Sequence, residues 1–145
     1  MLLLFLILTL CTSVSLTATT LLFQFLIYPL FYKVSSFDFE CYFKKFLMQS
    51  MWILFPVFIL DILFTVLLPF LSINSHLITP LLLSYGMMVF TYFSFLLIQV
   101  PLNLQLKEGQ NPVIINKLIK YNWIGVISCV IRTLIFILIL SQLYS

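Results

Sequence analysis

Charge is what this sequence has least of. Only 8% of its 145 residues are Asp, Glu, Lys or Arg, 63% are hydrophobic, and the mean hydropathy is +1.23. A water-soluble domain carries about 25% charge, so a chain this apolar belongs in a lipid bilayer, and its length makes it a single transmembrane domain over 1–145. Glycine is scarce as well, at three residues, and Ala18 is the sole alanine. That excludes a phosphate-cradling glycine loop and leaves no GxxxG face for close helix approach, so Ser, Thr and Cys must be the small residues at helix contacts. His76 is the lone histidine, and Cys11, Cys41 and Cys129 share no CxxC spacing. A zinc or haem site built from this chain alone would lack its ligands, and no disulfide framework is indicated; no metal and no cofactor are expected. The net charge of +3 is too small and too localised for a nucleic-acid partner.

What the sequence has is apolar runs. Four are long enough to cross about 30 Å of hydrocarbon, at roughly 2–32, 51–71, 80–102 and 122–143. No basic residue precedes Leu2, and the apolar pattern continues past the small residues of "SVSLTAT", so the first run reads as a retained span in preference to a cleaved signal. The fold class expected is all-α, an integral membrane four-helix bundle with short loops. Before the second span, Ser36 is placed to cap a helix whose first turn holds Asp38 and Glu40. Phe39, Tyr42, Phe43 and Phe46 recur there at helical spacing opposite Lys44 and Lys45, as in a cytoplasmic amphipathic turn at the interface. Pro56 marks a kink in the span that follows. Thr79–Pro80 and Asn111–Pro112 each pair a capping residue with a proline at the first helical position, which predicts that the third and fourth helices begin there; Gly109 suits the intervening C-terminal cap.

Six lysines fall in the first and third connections: Lys33, Lys44, Lys45, Lys107, Lys117 and Lys120. The second connection and both termini carry no Lys or Arg. The positive-inside rule then puts 33–50 and 103–120 in the cytoplasm and both termini outside, in a plasma or inner membrane.

Polar residues keep helical register. Ser13, Thr17, Thr20, Gln24 and Tyr28 share one face of the first helix; Ser84, Thr91 and Ser94 form a shorter stripe on the third; Asn122, Gly125, Cys129 and Arg132 form one on the fourth. Lipid offers these groups no hydrogen bonds, so the stripes should turn inward and pair across the bundle. Asp61 follows Trp52 by nine residues and Arg132 follows Trp123 by nine. With both tryptophans in the aromatic belt and both spans running the same way, the two charges lie at one depth, about 13 Å below it. Each is the other's most available counter-charge, and Thr65, Asn122 or a first-span polar residue should supply the remaining hydrogen bonds. The candidate buried polar site is Asp61, Arg132, Asn122, Tyr28, Gln24 and Asn103.

The stretches "FLIYPLFYKV", "LFPVFILD", "VPLNLQLKEG" and "LIKYNW" followed by Arg132 resemble, in order, a family of small four-span membrane proteins related to the anthrone-oxygenase-like domain of unknown function. Members commonly carry an acidic residue after the second-span proline, matched by Asp61, and an arginine in the last span, matched by Arg132. Some have a histidine where Asn103 stands. The resemblance implies a four-helix bundle with a pocket for a lipophilic aromatic substrate oxidised without a metal. Three functions stay open: an accessory or binding subunit organised around the polar core, an oxygenase-like membrane enzyme, and a carrier or channel component. The corresponding partners are the bilayer, another membrane subunit or a second copy, and a lipophilic small molecule.

Overall fold

The computed structural model describes residues 2–71 and 75–144 as helices joined by short connections. Helix α1 runs Leu2–Leu22, widens into a π-helical turn at Phe23–Ile27 and ends as Tyr28–Leu30. Helix α2 is Phe39–Leu71. Helix α3 runs Ser75–Ser94, passes through a second π-helical turn at Phe95–Gln99 and continues as Val100–Leu106. Helix α4 is Pro112–Tyr144. Each is long and apolar enough to cross a membrane, and among the described residues there is no strand. The protein is a membrane-embedded all-α four-helix bundle whose outer surface is largely Leu, Ile, Phe and Val.

The two π turns have one cause. Pro29 and Pro101 lack an amide hydrogen, and a proline ring collides with the carbonyl four residues before it. In both helices the backbone widens just upstream, where Tyr28 N–H reaches the Phe23 carbonyl and Val100 N–H that of Phe95. A wide turn holds one extra residue and so changes which side chains face inward. Gln24 and Gln99 sit in these turns, and both are buried.

The helix starts divide. Asn111 caps α4 as its sequence indicates, its Oδ1 accepting from Val113 N–H at 3.0 Å, and Gly109 takes the positive φ of 146° that ends α3. Pro80 does not open α3: it lies inside a helix that begins at Ser75. The carbonyl it leaves without an amide is that of His76, in the first turn, where the cost is least. Ser36 is not the cap of α2 either. The Asp38 carbonyl accepts from Tyr42 N–H at 3.0 Å, so the helix begins at Phe39. Nor is the amphipathic segment a separate turn. It forms the first turns of α2, continuous with the span.

The core is layered. At the end bearing both termini, Leu6, Leu68, Leu77, Leu81, Ile135, Phe136 and Ile139 pack together. At the lysine-bearing end Phe31 is enclosed by rings, with Phe43 at 5.3 Å and Phe46 at 5.4 Å between centroids, both edge-on. Phe39 and Phe43 are fully buried there, whereas Tyr42 lies on the exposed side. The amphipathic start of α2 therefore docks its aromatic face inside the bundle. Gln110 fastens the same end, donating to the Phe31 and Val34 carbonyls beyond α1 at 2.8 and 3.2 Å. Between the two apolar layers lies a polar one.

Candidate functional site

The polar layer is built around two centres. In the first, Asp61 is wholly buried on α2 and Arg132 faces it from α4. Arg132 Nη1 donates to Asp61 Oδ2 at 2.6 Å and Nη2 to Oδ1 at 2.9 Å, a bidentate fork. Thr12 Oγ1 donates to Oδ1 at 2.9 Å from α1, and Tyr92 Oη to Oδ2 at 2.9 Å from α3. All four helices thus meet at one carboxylate. Thr65, one turn beyond Asp61 on α2, accepts from Arg132 Nη2. The guanidinium also lies over the Phe136 ring, 5.5 Å from its centroid. Beside this pair Thr133 contacts Ser13 and Thr17 at 2.9 and 3.0 Å, tying α4 to α1.

The second centre is made of amides. Asn122 on α4 donates from Nδ2 to Gln24 Oε1 at 2.9 Å and to the Thr20 carbonyl at 3.2 Å, and accepts at Oδ1 from Gln99 Nε2 at 3.3 Å. The prolines that widen α1 and α3 therefore deliver one glutamine each to a single asparagine. Of the three sources expected for the remaining hydrogen bonds, Thr65 and a first-span residue, Thr12, supply them and Asn122 does not, since ten residues of helix separate it from Arg132, about 15 Å. Tyr92 is the addition. Thr12 lies one position off the stripe of Ser13, Thr17, Thr20 and Gln24, and Tyr92 is an amphipathic aromatic that sequence pattern assigns no partner.

A cavity of ≈ 90 Å³ joins the two centres. A water needs roughly 10–15 Å³ of such space, so several waters or a small ring fit. Arg132, Tyr92 and Cys129 border its deep end; Gln99, Asn122, Asn103, Ser50 and Tyr28 border the other. The wall that α2 contributes is mainly apolar, with Phe46, Leu47, Met51, Leu54 and Phe58. The remaining three predicted site residues fall into place around it. Tyr28 is buried at the lysine-bearing end, Asn103 is half-buried at the rim, Gln24 lies behind Asn122, and Gln99, which the sequence did not single out, faces the space.

Hydrogen-bond capacity is left over at that wall. Among the described residues the Tyr28 hydroxyl, the Ser50 hydroxyl and the Asn103 amide have no partner, although each borders the cavity. The stripe on α3 does not pair across the bundle as expected: Ser84 and Ser94 hydroxyls are buried without a partner, and Thr91 bonds back to the Met87 carbonyl of its own helix at 2.8 Å.

Compared with family models, curated proteins and solved structures, the chain matches none.

Proposed function

We propose that the protein is a membrane binding subunit that holds a lipophilic ring compound bearing carbonyl or hydroxyl oxygens on one edge. The observation that carries this is the two-sided cavity: a mainly aromatic and aliphatic wall from α2 faces polar groups of α1, α3 and α4, and three bordering groups, on Tyr28 of α1, Ser50 of α2 and Asn103 of α3, lack protein partners among the described residues. Small-molecule sites combine these features, with apolar surface for affinity and a few convergent polar groups for orientation.

Binding is favoured over catalysis by the state of Asp61. Two guanidinium nitrogens and two hydroxyls occupy its oxygens and it does not border the cavity, so the carboxylate does not reach a bound substrate. One contact supports an oxygenase-like second reading. Tyr92 both borders the cavity and donates to Asp61, which is the position of a group that takes a proton from bound substrate as it hands its own to the carboxylate. In the membrane, the lysine asymmetry supports placing the 33–50 and 103–120 connections in the cytoplasm.

The test is purification in mild detergent followed by native mass spectrometry. Wild-type protein is expected to carry a small molecule that Gly125→Leu loses. Gly125 borders the cavity, and a Cβ there would meet only Gln99 Nε2, at 3.7 Å, so a leucine extends into open space. A folded wild-type protein that neither co-purifies with nor takes up any lipophilic ring compound would overturn the proposal.

A further inference from the structure

The cavity has a side door. Helix α2 stays with α3 along Ser75–Ser94 and is still in ring contact where Phe58 meets Phe95, at 5.7 Å. Beyond that point the two part, leaving a groove of ≈ 810 Å³ between residues 44–56 of α2 and 100–107 of α3. Its walls are Met48, Trp52, Phe55, Pro56, Val100 and Leu104. Leu47, Met51 and Asn103 line both the groove and the cavity, so the two spaces are neighbours across three side chains.

Two cations stand at the outer end of this otherwise apolar groove, Lys44 and Lys107. Lys44 is held by Glu40 one turn earlier, both about half exposed. Among the described residues no carboxylate lies within ion-pair distance of Lys107, and the adjacent Glu108 is exposed and absent from the groove wall. Lys107 therefore leaves an uncompensated charge at the mouth. Along α3, Lys107, Asn103 and Gln99 follow at four-residue intervals on one face, passing from groove mouth to cavity over about 12 Å.

We infer that the α2–α3 groove is a lateral entrance from the bilayer, and that its ligand is an amphiphile with an anionic head group. The lipophilic body lies in the cavity, the chain passes Asn103 and Met51, and the head group stays at Lys107 and Lys44. This rests on the cavity being a binding site, and it adds the ligand's charge and its route. Such a molecule dissolved in the leaflet already has its head group at the depth of the lysines, so it needs to move only sideways.

Trp52 on the groove wall is a native reporter. The Trp123→Phe variant in phosphatidylcholine vesicles leaves it as the sole tryptophan. Dibromostearate, a fatty acid with quenching bromines in mid-chain, is titrated against its uncharged methyl ester at a pH where the acid is ionised. Saturable quenching is expected, with the acid reaching half-saturation at about fivefold lower membrane fraction, as one lysine near the surface contributes. Lys107→Gln should abolish that preference, whereas Lys117→Gln, outside the groove, should keep it. Gly125→Leu and Cys129→Leu, which fill the cavity from two points, should each weaken the acid. Equal saturable quenching by acid and ester would overturn the anionic head group while leaving the cavity reading intact. Quenching that merely follows bulk bromine content would overturn the entrance; the co-purification of a ligand with wild-type protein then decides the cavity reading separately. An acid affinity indifferent to both cavity-filling variants would confine the acid to the groove and break the link.

Discussion

At the scale of single residues, Asp61 shows how a charge is kept in hydrocarbon. An unpaired carboxylate at mid-bilayer costs roughly 2.5–3.5 kcal/mol on insertion scales. Here it takes two bonds from Arg132 and one each from Thr12 and Tyr92. Asp61→Asn should lower stability by roughly 3–5 kcal/mol, because it strands a buried guanidinium. Exchanging the partners, Asp61→Arg with Arg132→Asp, should restore part of the loss; an exchange no better than the sum of the single variants in unfolding measurements would mean that the pair is not what holds the carboxylate. Tyr92→Phe should cost less than Asp61→Asn, about 1.5–3 kcal/mol for a bond to a charged group, since three bonds remain. The pair was legible in the sequence because both charges follow a tryptophan by nine residues. Hydroxyls from Thr65 and from the first span were legible beside it; that the latter is Thr12 was not, because Thr12 sits in a segment where Thr and Ser occur on every face, and only packing decides which one meets α2.

At the scale of elements, the prolines shape the interior more than the helix ends do. Sequence pattern supplied four apolar helices, the Asn111 cap and the Gly109 stop, because each rests on local chemistry. It failed at Pro80, where a proline five residues past the start of a helix looks the same as one at its first position. It also gave no sign that Pro29 and Pro101 would widen their helices, since a π turn is a compromise between ring clash and neighbouring packing. Those wide turns aim Gln24 and Gln99 at Asn122. Asn122→Leu should therefore cost more than Gln24→Leu or Gln99→Leu alone, because it leaves two glutamines without their shared partner. With interhelical bonds averaging about 0.6 kcal/mol, the single glutamine variants should lose about that each, read as a shift in the unfolding midpoint in mixed detergent. Asn111→Ala, at an exposed helix start, should cost about 1 kcal/mol by the same measurement.

At the scale of the whole molecule, the two helical hairpins echo one another. Phe23 precedes Pro29 by six residues in α1, as Phe95 precedes Pro101 in α3; Trp52 precedes Asp61 by nine in α2, as Trp123 precedes Arg132 in α4. These spacings match α1 with α3 and α2 with α4, helices that run in the same direction. The charges at the matched positions have opposite sign, so each hairpin supplies what the other lacks. The packing breaks the match: α1 lies close to α4 throughout, whereas the equivalent α2–α3 contact opens towards the lysines and becomes the groove. Parallel hairpins also require both lysine-bearing connections to lie on one side, so labelling either reports on both. Cys41 is exposed near Lys44 and Lys45 and provides the probe. In inside-out vesicles of a Cys11→Ser, Cys129→Ser background, an impermeant maleimide should label Cys41 and a Gln110→Cys variant. It should miss His76→Cys in the first turn of α3 and Ser145→Cys, a position outside the described residues, until detergent is added. Labelling of His76→Cys together with Cys41 in sealed vesicles would contradict four spans. Reversed labelling of all four positions would keep the bundle and overturn only its orientation, leaving the Lys107 mouth of the groove in the opposite leaflet.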